Sequence, residues 1–199
     1  MKITLLAAVL VSTVLAATAA RASVVLSDNF DTENGGVGQL NYTNFANFTV
    51  STGSVDLIGN GFFDLYPGNG LYVDLAGSTN QYGALTTKLV FGPGTYTVTT
   101  DLGGTARGPT DGAGITLGGT TVDHILTDSN TMVFTDTFTV GAGGSALTIA
   151  DLGLSGNPNV GAILFSVTVS TASAIPEPVS TALLGVGLLG LGMVRRRRA

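Results

Sequence analysis

Ile163-Leu164-Phe165-Ser166-Val167-Thr168-Val169-Ser170 is the stretch that decides the fold. Ile163, Phe165, Val167 and Val169 share one parity, and Leu164, Ser166, Thr168 and Ser170 share the other. A period of two, rich in β-branched residues, is the signature of a half-buried β-strand. The same rhythm recurs outward from it. Tyr96 and Val98 alternate with Thr95, Thr97 and Thr99 after the turn Gly92-Pro93-Gly94, and Leu71, Val73 and Leu75 face away from Tyr72 and Asp74. Further strands are expected near 24–26, 46–51, 54–58, 84–91, 114–117, 120–126, 131–140 and 145–150, punctuated by Gly, Asn, Asp and Pro. Helical periodicity is missing between residues 23 and 172. Ten or so short strands with threonine outside and aliphatics inside predict an all-β fold, an antiparallel β-sandwich of jelly-roll type. The 29 glycines do not argue for disorder, because the alternation supplies faces to bury.

The two ends have a different character. Residues 1–22 begin with Lys2, continue as an apolar run and finish in Ala20-Arg21-Ala22. A positive start, an apolar middle and a small-x-small site make a secretory signal peptide, with signal peptidase cutting after Ala22. Residues 173–199 carry Pro176-Glu177-Pro178, an apolar span over 179–194 and Arg195, Arg196, Arg197 and Arg198. As a helix that span rises about 24 Å, short of the roughly 30 Å of bilayer hydrocarbon. Snorkelling flanks or local thinning make up the difference. The arginines place the C-terminus in the cytoplasm by the positive-inside rule. Residues 23–172 then form one exported domain.

This tail resembles the PEP-CTERM sorting domain. Pro176-Glu177-Pro178, the run Ala182-Leu183-Leu184-Gly185-Val186-Gly187-Leu188-Leu189-Gly190-Leu191-Gly192 and the terminal arginines match it part by part, in order, at the chain's end. The resemblance implies an exosortase-type protease-transpeptidase as partner, cutting near Pro176-Glu177-Pro178. It also implies delivery from the inner membrane of a Gram-negative bacterium to its surface or extracellular polymer. Two prolines around Glu177 favour an extended segment of the kind that lies in another protein's cleft. In the middle, Ser54-Val55-Asp56-Leu57-Ile58, Gly61-Phe62-Phe63, Asn69-Gly70-Leu71-Tyr72-Val73-Asp74-Leu75 and Gly94-Thr95-Tyr96-Thr97-Val98 resemble galactose-binding-like sandwiches. That resemblance implies the fold and, loosely, a carbohydrate-binding tendency.

Composition narrows the chemistry. Residues 23–172 hold only Lys88 and Arg107 against twelve Asp and Glu, a net charge of −10. Such a surface repels nucleic acid and anionic lipid, and suits neutral glycans or divalent cations. The chain has no cysteine, which excludes thiol nucleophiles, thiolate zinc sites and disulfides. It has no tryptophan either, so an aromatic platform for a sugar ring must come from Phe and Tyr.

Few residues suggest a site. Tyr66, Tyr72, Asp64 and Asp74, beside Phe62, Phe63 and Asn69, form the best candidate group for a sugar, since rings stack on apolar sugar faces while carboxylates and amides take hydroxyls. Asp28, Asp31 and Glu33 make an oxygen-rich turn, read first as a solvated turn and second as ligands of a structural calcium. His124, the lone histidine, shares strand parity with Val122 and Leu126 and reads as a hydrogen-bonded core or rim residue, with no nucleophile to complete a triad. Asp136 falls on the apolar face of Met132-Phe134-Asp136-Phe138-Val140. A bulge turning it outward is the preferred reading, and a buried, partnered carboxylate the other. The expectation is an exported, non-enzymatic surface or matrix component. A calcium-stabilised carbohydrate-binding module is the second reading and a small glycan hydrolase the third. No cofactor beyond calcium is implied, and extracellular polysaccharide is the candidate partner.

Overall fold

The alternating runs close into two antiparallel sheets packed face to face. The computed structural model describes residues 22–171, and among them the strands are β1 (Val24–Asp28), β2 (Phe48–Thr52), β3 (Asp56–Gly59), β4 (Leu71–Asp74), β5 (Ala76–Gly77), β6 (Gln81–Tyr82), β7 (Ala84–Phe91), β8 (Gly94–Gly103), β9 (Asp111–Leu117), β10 (Thr120–Leu126), β11 (Thr131–Val140), β12 (Ser145–Asp151) and β13 (Ile163–Thr171). The first sheet runs β11-β8-β13-β4-β3, with β1 also paired to β13; the second runs β10-β9-β12-β7-β2. β5 and β6 form a two-stranded ribbon. From β7 onward the chain mostly steps between sheets, so neighbours in space are seldom neighbours in sequence. This is the antiparallel β-sandwich of jelly-roll type that the alternation predicts. Among the described residues no helix is long and apolar enough to cross a membrane. Ala20, the linker, Pro176-Glu177-Pro178, the span 179–194 and the arginines 195–198 lie outside the described residues.

Leu57, Val73, Val98, Val167 and Val169 from the first sheet meet Leu85, Ile115, Leu147 and Ile149 from the second in one buried core. Phe30, Phe45 and Phe48 fill one part of it, with Phe30 and Phe45 edge-to-face at 6.0 Å between centroids. Fully burying such side chains stabilises the fold by about 1.5–3 kcal/mol each.

β13 departs from the single-face reading. Its register against β8 slips between Leu164 and Ser166, so Phe165 is an extra residue. Leu164, Val167 and Val169 enter the main core, whereas Ile163 and Phe165 join Ile58 and Tyr72 in a second buried cluster. A bulge inserts one residue and flips the parity beyond it. The outer face of the first sheet is therefore apolar at this end, and Leu40, Phe62, Leu65 and Tyr66 cover it.

Asp136 needs no bulge. β11 pairs with β8 residue for residue from Thr131 to Val140, and Asp136 faces inward. Its Oδ2 lies 2.7 Å from His124 Nε2, and the His124 ring stacks on Phe134 at 3.9 Å. β10 and β11 are the edge strands of opposite sheets, so this pair ties the two sheets together at an open edge. The preferred sequence reading of Asp136 is corrected: a polar pair closes the edge, because each group satisfies the other.

Candidate functional site

The loop over the outer face leaves one cleft beside it. Asp56 and Ile58 of β3, Asp74 of β4, Ser78, Arg107, Asn159, Leu40, Phe63 and Leu65 line a space of about 200 Å³. Parity explains the floor, since Asp56, Ile58, Tyr72 and Asp74 all project outward from paired strands, with Asp56 directly opposite Asp74. Apolar side chains form one wall and polar groups the other.

The polar wall is tightly wired. Asp56 accepts from Asn41 N at 2.6 Å, Ser78 N at 3.2 Å and the Ser78 hydroxyl at 2.6 Å. Asp74 Oδ1 accepts from Ala76 N and Gly161 N, and its Oδ2 pairs with Arg107 Nη2 at 2.5 Å. Arg107 also donates from Nη1 to Asn159 O at 3.0 Å and from Nε to Thr105 O at 3.3 Å. Burial pushes the Asp74 carboxyl up to about 7 despite the guanidinium, and the charge of Asp56 adds to the rise. Folded Asp74 thus holds its proton more tightly than unfolded Asp74. The stability linked to that proton is complete below about pH 4 and lost as pH rises through about 7.

The apolar wall ends in Phe63, whose side of the cleft is open: the residue is 63% exposed. Its backbone sits at φ 45°, a region that costs a non-glycine residue about 1–3 kcal/mol. It directly follows the short bridge in which Gly59 and Phe62 exchange backbone hydrogen bonds. Phe62 packs edge-on to Phe63 at 4.9 Å and fixes the ring at the rim.

The sequence-proposed sugar group is thus rearranged. Tyr72 is fully buried; its hydroxyl donates to Asp64 Oδ1 at 2.9 Å and accepts from Tyr66 N at 2.8 Å. Tyr66 donates to Gly104 O and packs edge-on to Tyr72 and Phe165. Burial, first among the causes, raises both phenols to about 12. Both tyrosines and Asp64 therefore build the cover under the cleft, with Tyr72 buried and Tyr66 half-buried. Asp74 and Phe63 alone of that group line the cleft. Asp56, Ser78, Arg107 and Asn159 were not singled out by sequence. Arg107 carried a usable signal, as one of only two cations in an acidic domain.

The acidic turn does not gather ligands. Asp28 accepts from Phe30 N and Asn47 Nδ2, Asp31 from Leu71 N and Asn29 Nδ2, and Glu33 from Ala46 N and Tyr42 OH. Their oxygens serve three separate backbone stretches, and Glu33 is buried instead of solvated. Among the described residues no three His, Cys, Asp or Glu side chains converge as metal ligands. The residues do not fit a calcium site as grouped.

No family model and no curated protein matches this chain. Solved structures do. The CBM22-1-CBM22-2 tandem domain from Paenibacillus barcinonensis Xyn10C aligns over 82% of this chain and 48% of its own, at 16% identity and TM-score 0.51. This chain thus spans about half the length of that tandem. The single CBM22-1 xylan-binding domain of the same protein aligns over 79% of this chain and 100% of its own, at 12% identity and TM-score 0.52. A cyclase from Fischerella sp. TAU aligns over 78% and 100%, at 16% identity and TM-score 0.53. A binding module and an enzyme share this architecture, so the likeness establishes the β-sandwich fold and leaves the activity to the site.

Proposed function

We propose that the sandwich is a non-catalytic carbohydrate-binding domain of an exported surface or matrix protein. The observation that carries the reading is the two-sided cleft. An exposed aromatic ring stands at one rim, and hydroxyl, amide, carboxylate and guanidinium groups face it across about 200 Å³. That asymmetry matches a sugar ring, which has an apolar face and a hydroxyl-bearing edge. The space is below the ~300–1,000 Å³ of clefts for larger ligands, which suits one or two rings bound weakly and reinforced by multivalency. The net charge of −10 favours neutral glycans. Because a domain of this fold is described as xylan-binding, xylan is a reasonable first probe.

Hydrolysis is disfavoured by the bonds themselves. A glycosidase needs two carboxyls free to exchange protons with substrate and water. Asp56 and Asp74 are instead each engaged by three internal donors. Calcium stays with the second reading, and the acidic turn is held by its own hydrogen bonds without it. A calcium-dependent rise in melting temperature would support the metal, and indifference to chelator would remove it. Glycan-array binding by the full-length chain, weakened by Phe63→Ala, tests the reading; binding unaffected by that change would reject the cleft.

Sorting supplies the location in this reading. Pro176-Glu177-Pro178 and Arg195–Arg198 support processing by an exosortase-type enzyme after signal peptidase has acted near Ala20 and Ala22. Replacing Pro176, Glu177 and Pro178 with alanine is expected to leave a membrane-bound species with its arginine tail. Normal processing of that variant would remove the assignment.

A further inference from the structure

The sandwich guards the other edges of its two main sheets and leaves β11 open. Beside β3 the chain returns, and Gln39 exchanges backbone hydrogen bonds with Leu57 at 2.8 and 3.0 Å. β1 and β2 are five residues each, and both slip register, between Val24 and Leu26 and between Val50 and Thr52. β10 carries the exposed Asp123. Cover, short strands, bulges and charge are the means by which a sheet avoids pairing with another chain. β11 ends the first sheet, runs ten residues without a bulge, and holds no Lys, Arg, Glu or Pro. An inward-pointing charge also guards an edge, but Asp136 is taken up by His124 and its side chain is only 16% exposed.

Backbone parity identifies the open groups. Gly104 N donates to Asn130 O at 2.8 Å, in the same register that pairs β8 with β11. In an antiparallel ladder alternate residues turn both backbone polar groups to the same neighbour, so the even-numbered residues of β11 serve β8. Thr131, Val133, Thr135 and Thr137 turn theirs outward, and among the described residues no loop or side chain bonds them. Thr139 is excluded, because a Cβ on Gly118 would meet its carbonyl at 2.2 Å: the turn from β9 to β10 covers that end. The open stretch is thus 131–137, with Phe134 at its centre. Its outer side chains are uncharged and exposed, Val133 at 60%.

We propose that β11 takes the β11 of a second copy of this chain, antiparallel, about a two-fold axis at Phe134. Val133 then pairs with the partner's Thr135, and Thr131 with the partner's Thr137, so all four open residues of each strand are bonded. A slip of one residue would flip every side chain to the wrong face, and an axis at Asp136 would oppose two carboxyls. Charge favours a second copy over another strand. Two domains of net charge −10 repel at their acidic faces, whereas this edge presents only threonine and valine. A basic segment, which the acidic faces attract, finds no carboxylate along it. The contact is isologous and consumes the edge, so assembly stops at the dimer. One strand pair is a small interface, so the dimer is weak and concentration-dependent, and salt that screens the like charges strengthens it.

The test needs no glycan, so it stands apart from the carbohydrate reading, and it uses the absence of native cysteine. Full-length chains in detergent micelles carrying Val133→Cys or Thr135→Cys are mixed and mildly oxidised. In the proposed register the two positions face each other with Cα atoms about 5.5 Å apart, within disulfide reach. The expected result is a mixed disulfide dimer at least fivefold more abundant than that of Thr131→Cys oxidised alone, whose two copies lie about 20 Å apart. Sedimentation of the unsubstituted chain is expected to show a dimer that salt strengthens. Thr135→Pro is expected to weaken it at least tenfold with Tm kept, because the N–H it removes serves no bond to β8. Thr135→Lys, which keeps the backbone donor and places a charge on the edge, is the second variant. A monomer at every concentration, crosslinking as strong at Thr131→Cys or at Thr49→Cys on β2, or a dimer untouched by Thr135→Lys would overturn the proposal.

Discussion

Arg107→Ala should destabilise the domain in a pH-dependent way. Asp74 has 3% of its side-chain surface exposed and Arg107 30%, so the pair lies between buried and surface ion pairs. Breaking a fully buried pair costs about 3–5 kcal/mol, and a surface pair contributes about 0–1. With Asp74 at about 7, its ionisation at pH 8 is worth at most about 1.4 kcal/mol, because without Arg107 the carboxyl takes up a proton instead. The bonds to Asn159 O and Thr105 O add about 0.5–1.5 kcal/mol each at most. The total near pH 8 is about 3 kcal/mol, or roughly 6–12 °C in Tm for a domain of this size. At pH 5 Asp74 carries a proton in the fold, because burial has raised it to about 7, so the charge part of the loss vanishes. Thermal unfolding by circular dichroism at pH 5 and pH 8 is the assay. A Tm loss of equal size at both pH values would refute the claim that a buried carboxylate depends on Arg107, and so would no loss at pH 8.

Other consequences are separate. Phe63→Ala, at an exposed and strained position, is expected to leave Tm within about 2 °C while weakening glycan binding at least tenfold; unfolding would show that the ring is structural. Gly161→Ala forces a methyl group against Asp151 and the Ala76 backbone, so a loss of about 1–3 kcal/mol is expected in denaturant titration, and a neutral result would contradict the close approach. Asp136→Ala leaves the His124 ring nitrogen without its acceptor at the sandwich edge and is expected to cost about 1–3 kcal/mol by the same assay. Tyr72→Phe removes a bond to Asp64 and strands Tyr66 N, for a loss of about 1–2 kcal/mol with glycan binding retained.

The sandwich was legible because alternation is local. Every long strand anticipated from the period of two is present, and Leu71, Val73 and Leu75 face the core as read. The bulge at Phe165 was not legible, since nothing in Leu164-Phe165-Ser166 distinguishes an inserted residue from a regular one. Its consequence reaches the site. By turning Ile163 and Phe165 outward it creates the apolar face that buries Tyr72, which the sequence reading had offered as a sugar-binding ring. Asp136 failed for the complementary reason: its partner His124 lies on the other sheet, a pairing that no periodicity reports. Asp74 was found as a polar residue between apolar ones, but Arg107 and Asn159 reach it from loops distant in sequence.

The central claim is that the cleft between Phe63 and the Asp74–Arg107 pair receives a sugar. Amide and side-chain shift mapping by NMR, during titration of the full-length chain with xylooligosaccharides or an array-selected glycan, tests it most directly. Saturable shifts centred on Phe63, Ser78, Arg107 and Asn159 are predicted. Shifts confined to another surface, or none with any glycan, would contradict it.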